Sequence, residues 1–486
     1  MSAQDRSGHA IVLGASIAGL AAARVLSESF AKVTLFDRDE LPTHPEPRRG
    51  VPQSAHAHGL LARGREILEE LFDNFVPEMT SLGAIPVDMQ RDLFWISDGI
   101  QMANAESGLL GLAVSRATME YYIRTRIEEL PNVEIFDRTE VLGLVADGDR
   151  VSGVRVLPKG GDARQLDADL VVDATGRGNR GPTWLAELGY VKPAEERVDP
   201  HTSYVSRDYH RKPGTPFAAF IQNAWPEHPR GAVAIAVDGD RWMVTLLGVG
   251  PDNTPPSGPD EFVPFTKRLP NTMLHDILAD TEPLGPPMKL RLPTSVRRRY
   301  EHLTRLPEGL VAIGDAVCAF NPAYGQGMTV ALAEAIVLRD CLAQGRTGLP
   351  KRYYHAIGKI IDVPWSIAVG ADLRYDHVEG VRTRQARFLN AYVARLHRAA
   401  AKHPAVGRAF LAVANLMAPP QSLFAPGVLA RVLFSGGATR DAKRPASRGP
   451  AEIAPRTAAM TDPTGAIPAG RAGDSYVEQQ DLTPVA

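Results

Sequence analysis

The segment AIVLGASIAGLAAARVLSESFAKVTLFDRD, residues 10–39, decides the fold. Four apolar residues, Ala10 to Leu13, run into Gly14, a stretch rich in small residues follows, and a second apolar run ends at Asp37. That order predicts a buried strand, a tight turn, a helix and a second strand, a βαβ unit. Gly14, Ser16 and Gly19 stand at the three positions of a dinucleotide fingerprint, with Ala15, Ile17 and Ala18 between them. Gly14 permits the turn, the small Ser16 lets a pyrophosphate approach the backbone, and Gly19 lets helix and strand pack closely. The helix N-terminus then faces the phosphates, and Asp37, followed by Arg38, can accept hydrogen bonds from a ribose.

Outward from this unit, the 486-residue chain is 44% hydrophobic, enough for a sizeable core and two or three domains. A formal net charge of -2 gives no reason to expect nucleic acid or an anionic membrane as partner, so small molecules are expected instead. Two cysteines, Cys318 and Cys341, make neither a disulfide framework nor a metal cluster. No stretch reaches the length of a spanning helix or a signal peptide, and a cytoplasmic location is expected. The oligomeric state stays open.

A loop with Pro42, Pro45, Pro47 and Pro52 precedes an amphipathic helix around Leu60 to Phe72. Residues 92–103 and 202–249 are strand-rich, and AVAIAVDGDRWMVTLLGV, 232–249, carries an Asp-Gly turn between two apolar runs. Between them lie a helix at 115–130, short strands at 133–136 and 141–145, and the buried strand of DLVVDATG, 169–176. The expected organisation is a discontinuous nucleotide domain (1–90, 105–190 and 300–345), an inserted substrate sheet (91–104 and 191–299) and a helical C-terminal region (346–435). Phe388, Tyr392, Leu396 and Ala399 are expected to line one face of a helix in that region. From 436 to 486 the composition turns to Pro, Ala, Gly, Thr and Arg, the mark of a disordered tail.

The second decisive stretch is GLVAIGDAVCAFNPAYGQGMTVALAEA, 309–335. It places Gly314 and Asp315 at the end of an apolar strand, then Asn321, Pro322, Gly325, Gln326, Gly327 and Met328 before a helix. Here the sequence resembles the flavoprotein aromatic hydroxylases. The resemblance implies that the Gly-Asp pair meets the ribityl and phosphate region of FAD and that the helix start faces the isoalloxazine. Backbone N–H groups and a helix N-terminus suit the negative charge that a reduced flavin develops. It also implies that Arg116, at a helix start, lies near the FAD phosphates, and that Val141 contacts adenine through its backbone. The implied fold is an α/β Rossmann-like FAD-binding domain of the glutathione-reductase type, with an inserted β-sheet substrate domain and a helical C-terminal region.

RRGVPQSAHAHGLLARGREILEELF, from Arg48, DLVVDATGRGNR, from Asp169, and FNPAYGQGM resemble more narrowly the flavin-dependent polyether epoxidases. That likeness puts Arg48, Arg49, Gly50, Val51, Pro52 and Gln53 in a loop bordering the flavin. His56 and His58 lack a third partner for a metal, and no metal is expected. Two departures stand out: Asp173-Ala174-Thr175-Gly176 replaces the usual Asp-Gly pair, and Thr329 stands where many hydroxylases carry asparagine. A halogenase is disfavoured, because the chain contains no Trp-x-Trp-x-Ile-Pro segment.

The resemblance implies an FAD-dependent monooxygenase with NAD(P)H as electron donor, in which a flavin hydroperoxide delivers one oxygen atom of dioxygen to a lipophilic substrate. Epoxidation of an alkene and hydroxylation of an aromatic ring are both compatible with it. Trp95, Tyr204, Phe220 and Trp242, with Phe94 and Phe217, are candidate substrate-facing residues on the inserted sheet; no catalytic side chain is assigned. Arg297, Arg298 and Arg299 are either a carboxylate-recognising group or a solvated strand end. The competing functions are a reductase or dehydrogenase of an isoprenoid or polyketide and a flavin-binding protein without turnover.

Overall fold

The computed structural model describes residues 6–435 except 179, 216, 292 and 293, so the expected tail at 436–486 lies outside the described residues. Along the chain come β1 (His9–Leu13), α1 (Ile17–Leu26), β2 (Lys32–Phe36), α2 (Ala62–Leu71), β3 (Leu93–Ser97), α3 (Arg116–Glu128), β4 (Val133–Phe136) and β5 (Leu170–Asp173). There follow β6 (Thr202–His210), β7 (Ala219–Gln222), β8 (Arg230–Val237), β9 (Arg241–Val249) and β10 (Leu310–Ala312). Five long helices or helical segments complete it: α4 (Gly327–Ala343), α5 (Leu349–Asp372), α6 (Arg384–Ala400), α7 (Pro404–Ala414) and α8 (Pro426–Phe434).

The nucleotide-binding part is a five-stranded sheet in the order β10-β5-β1-β2-β4, with every pairing parallel. Parallel strands need crossover segments that cover both faces, which is why these strands read as unbroken apolar runs. Ala10, Ile11, Val12 and Leu13 are completely buried, and α1 packs its small residues between this sheet and α4. The α/β class and Rossmann-like arrangement expected from residues 10–39 are thus present.

A seven-stranded sheet forms the second layer, in the order Met288–Arg291, β6, β9, β8, β7, β3 and Ile100–Gln101. The Asp-Gly turn closes the β8–β9 hairpin as the sequence predicts, pairing Val237 with Arg241. One side of this sheet buries Phe94, Phe220, Trp242 and Tyr209 against Phe262 and Leu274 from two short helices. The other side lines a cavity, described below.

The C-terminal segment is helical, and α6 buries Tyr392, Leu396 and Ala399. Phe388 does not share that face: it is 66% exposed. One turn before Tyr392, Phe388 faces solvent while its neighbour Leu389 lines the cavity, so the periodicity finds the stripe but misplaces its first residue.

Candidate functional site

One cavity of about 1130 Å³ runs through the body of the protein. This exceeds the roughly 300–1,000 Å³ of an ordinary small-molecule site and is large enough for an extended cofactor together with a substrate. At one end lie Asp37, Arg38, Glu140 and Val141; in the middle Gly14, Ser16, Ile17, Ala18 and Arg116; and beyond them Asp315, Pro322, Gly325, Gln326, Gly327 and Met328. Arg49 and Gln53 line it too. Ala15, Gly19 and Gly314 are absent from its wall, because they shape the backbone beneath it.

The turn after β1 shows how. Gly14 adopts φ +104, and a Cβ there would stand 2.6 Å from the carbonyl oxygen of Ala174. A side chain at position 14 thus collides with the end of β5, which is why the tight turn requires glycine there. The Ala15 N–H donates to Asp37 Oδ2 at 2.8 Å, tying the turn to the end of β2. At the helix start, Ser16 Oγ donates to Glu120 Oε1 (2.6 Å) and accepts from Arg116 (2.9 Å), which also pairs with Glu120. Burial opposes ionisation of Glu120, but Arg116, Arg48 and the Ser16 hydroxyl outweigh it and hold the carboxyl below its usual range. Glu120 was missed in the sequence although it stands four residues after Arg116 on one helix, a spacing that signals such a pair.

Of the neighbouring arginines, Arg48 makes the ion pairs, at 3.2 Å to Asp37 and 2.9 Å to Asp39. At the other end, Asp315 pairs with Arg177 at 3.3 Å, and Arg298 donates to the carbonyls of Asp315 and Ala316. Arg297 is 1% exposed and bound to Glu301 and Asp362; Arg299 pairs with Glu196. The three consecutive arginines are therefore neither a substrate-recognising group nor a solvated strand end: they clamp the strand beside the Gly314–Ala316 turn.

These residues fit FAD. A buried arginine and a helix start meet in the middle of the cavity, an acidic residue closes one end, and at the other the first residues of α4, Gly327 and Met328, form the wall. Such a set matches an adenine ribose, a pyrophosphate and an electron-accepting ring in turn.

Past the flavin-side loop the cavity continues as a chamber under the second sheet. The four aromatic residues proposed to face substrate separate by strand parity: Trp95 and Tyr204 line the chamber, whereas Phe220 and Trp242 lie in the core on the opposite side of the sheet. Trp95 is paired with Ile221 and Phe94 with Phe220, so one-residue alternation sends the two pairs to opposite faces. Phe94 and Phe217 also belong to that core. The chamber's opposite wall consists of Leu389, Val393, Phe410, Val413 and Leu423 from the C-terminal helices, none of which the sequence singles out.

At the chamber's far end, Asp98 accepts from Arg374 (2.7 Å) and from His397 Nδ1 (2.8 Å), joining the sheet to α6. Burial would raise the Asp98 carboxyl, but these two partners outweigh it and hold it at about 2. His56 bonds Ser206 through Nδ1 at 2.6 Å, and burial lowers its ring to about 4; His58 is lowered to about 3 by burial and by Arg116. Both imidazoles are thus neutral at pH 7. No cluster of metal-binding side chains occurs among the described residues, and none of their helices is long and apolar enough to cross a membrane.

Comparison with known proteins agrees with this geometry. Residues 8–352 match the FAD binding domain family. The chain is 34% identical over 394 residues to Protein Rv3254 of Mycobacterium tuberculosis, covering 76% of this chain and 81% of that one. It is 26% identical over 371 residues to kynurenine 3-monooxygenase of Salinispora tropica, covering 69% and 73%. Among solved structures, the flavin-dependent brominase Bmp2 superposes with a TM-score of 0.62 at 16% identity, over 84% of this chain and 93% of that one, a likeness of fold. With a family match over most of the chain and a cavity whose walls carry both the fingerprint and the glycine-rich helix start, the chain belongs to the FAD binding domain family, as a flavin-dependent oxidoreductase of the aromatic hydroxylase type.

Proposed function

We propose that this enzyme inserts one oxygen atom of dioxygen into a lipophilic organic substrate, by hydroxylation of an aromatic ring or epoxidation of an alkene, with NAD(P)H as electron donor. The observation that carries this reading is the continuity of the cavity: the flavin-side loop, Pro322 to Met328, opens directly into a chamber lined by Trp95, Ile221, Leu389, Val393 and Phe410. Bound FAD supplies the electron transfer and oxygen activation; the chain supplies position and seclusion. Arg116 and the start of α1 hold the phosphates, and Asp37 orients the ribose. The loop at Gly325–Met328 presents backbone N–H groups to the ring. The apolar chamber excludes water, which protects a reactive oxygenating species from wasteful decay. The chamber's composition suits a substrate with more hydrocarbon than charge.

The test is chemical. Flavin released by heat should chromatograph as FAD, and NAD(P)H oxidation should rise with lipophilic phenols or polyenes. Under labelled dioxygen the product should gain one labelled oxygen atom. A product changed only by two hydrogens, with no label, would instead identify a reductase or dehydrogenase.

A further inference from the structure

The net charge of -2 conceals a segregation. From Gly380 to Ser435 the chain carries eight lysines and arginines and no aspartate or glutamate, which leaves -10 (-2 minus 8) for the rest. Such asymmetry between parts of one chain points to a polyanionic partner. α6 concentrates it: Arg384, Arg387, Arg395 and Arg398 are exposed, and their spacing places them with Phe388 and Ala391 on one face of the helix. Among the described residues none of these four arginines forms an ion pair, in contrast to Arg297 and Arg299. The exposed Lys402 follows just past the helix end.

The same segment is apolar where it meets water. Of the twelve large hydrophobic side chains exposed among the described residues, six lie in it: Val381, Phe388, Met417, Phe424, Leu433 and Phe434. Val381 is 81% exposed just before α6, and Phe388 stands in the second turn of that helix. Phe424 stacks on Tyr392, one turn after Phe388, with 4.6 Å between ring centroids. A lipid surface takes both kinds of group, headgroup phosphates meeting guanidinium groups and acyl chains receiving the apolar side chains. A single-stranded nucleic acid would use aromatic rings, but Val381, Met417 and Leu433 have none to stack on bases. A second copy of this chain is disfavoured by charge, because a twofold contact sets the arginines against one another. The helix also borders the chamber: Gln385, Leu389, Val393 and His397 recur at four-residue steps and line the cavity. Thr383 and Gln385 line it and are exposed as well, so the chamber has a mouth at the start of α6, beside Val381 and Phe388.

We propose that α6 seats the enzyme on the anionic surface of a lipid bilayer, with its arginines on the headgroups and Phe388 and Val381 among the upper acyl chains, so that the mouth at Thr383 and Gln385 receives its substrate from the membrane. The docking itself is independent of the reaction. Delivery of a bilayer-dissolved hydrocarbon to the flavin deepens the proposed function and rests on it. The helix lies on the surface and does not span it, in keeping with its length and its charge. Salt screens the arginine contribution and leaves the apolar one, which gives the contact a recognisable signature.

The experiment uses the full-length, FAD-loaded protein and sucrose-filled vesicles of phosphatidylcholine, alone or mixed with phosphatidylglycerol, separated by sedimentation. The wild type should sediment with the mixed vesicles, scarcely with phosphatidylcholine, and release as salt rises. Each arginine replaced by glutamine should lower the partition coefficient about fivefold, so that joint replacement (Arg384→Gln, Arg387→Gln, Arg395→Gln and Arg398→Gln) lowers it about a hundredfold or more. The same change of charge at the exposed Lys159, Lys192, Lys212 and Lys267, outside the segment, should leave most of the binding. The fluorescence of Phe388→Trp should be quenched by brominated acyl chains in the mixed vesicles. Retained FAD reports that a variant is folded, and the Phe388→Trp signal decides alone if the arginine variant loses its flavin. A wild type that stays in the supernatant with both vesicles, an arginine variant that binds as well as the wild type, or an unquenched Phe388→Trp overturns the docking. Binding of a single-stranded oligonucleotide, or a dimer mass by light scattering, in place of vesicle binding overturns it too and assigns the face to that partner. Because sedimentation involves no turnover, the docking and the monooxygenase reading fail separately, the latter being judged by labelled-oxygen incorporation.

Discussion

Replacing Gly19 by alanine sets two effects of opposite sign against each other. Gly19 lies in the first turn of α1, where alanine is the better helix former by about 1 kcal/mol. A Cβ at this position would, however, stand 1.8 Å from the Gly14 carbonyl oxygen and 2.9 Å from its carbonyl carbon. Reaching an ordinary contact of 3.4 Å requires an opening of about 1.6 Å (3.4 minus 1.8), and both obstructing atoms belong to the backbone of the β1–α1 turn. Overpacking of this kind typically costs about 1–3 kcal/mol, and the rigid partner argues for the upper end, so the clash outweighs the propensity gain and leaves a net loss of about 2 kcal/mol. The displacement also moves Ser16, and with it the Glu120–Arg116 set. We therefore expect urea unfolding of the apoprotein to show the loss directly, and flavin-fluorescence titration to show FAD affinity reduced at least tenfold. Gly285→Ala, whose Cβ would meet nothing within 4 Å, should be neutral and controls for backbone effects. A Gly19→Ala protein as stable as the wild type, with unchanged FAD affinity, would refute the close-approach argument.

Asp315→Ala removes a carboxylate on the cavity wall and the partner of Arg177, and should weaken FAD binding by about 1.5–3 kcal/mol while the protein stays folded; equal affinity by equilibrium dialysis counts against the assignment. Ending the chain at residue 435 should leave FAD content and turnover nearly unchanged, whereas ending it at Ala386 strips Leu389, Val393, Phe410 and Leu423 from the chamber and should abolish substrate-stimulated oxidation. His56 and His58 are held at about 4 and about 3 in the folded protein against roughly 6.5 unfolded, so the unfolded state binds more protons below that value and stability falls as pH drops from about 6.5 toward 4 and 3. Thermal midpoints measured from pH 8 to pH 4 should show this slope, and His56→Gln should flatten it; an unchanged slope contradicts the burial argument.

What the sequence disclosed, it disclosed where the controlling contacts are local. Gly14, Gly19 and Asp37 act within one βαβ unit, and their spacing is dictated by a turn, a helix contact and a strand end that lie within thirty residues. Gly314 to Met328 is similarly self-contained: a strand, a short turn and a helix start fall in one continuous stretch. The Asp238-Gly239-Asp240 turn fixes its hairpin because the backbone there requires positive φ at Gly239 and Asp240. Even so, locality did not decide which of two adjacent residues acts: Arg48 and Arg49 are equivalent in composition, and only the chain path turns the former onto Asp37 and Asp39.

The substrate side was less legible because each of its contacts joins segments far apart in sequence. Alternation along a strand says that Trp95 and Phe94 face opposite ways, but both faces of this sheet are buried, one by helices and one by the chamber, so hydrophobicity does not distinguish them. Phe220 and Trp242 fall on the core side for that reason alone. The C-terminal helices hide their role in the same way. Val393 and Leu396 belong to one amphipathic helix; the first forms chamber wall and the second core, and either would satisfy the same periodicity. Asp372 is the extreme case. As the last polar residue of a helix it looks like an ordinary solvated terminus. Only the meeting of α5 with the Asn321–Tyr324 turn and β6, segments separated by 51 and about 170 residues, buries it beside two tyrosines and, among the described residues, no paired cation. The fold is therefore carried by short-range patterns, whereas the chemistry that distinguishes this chamber depends on long-range closure by the one region whose sequence suggested only packing.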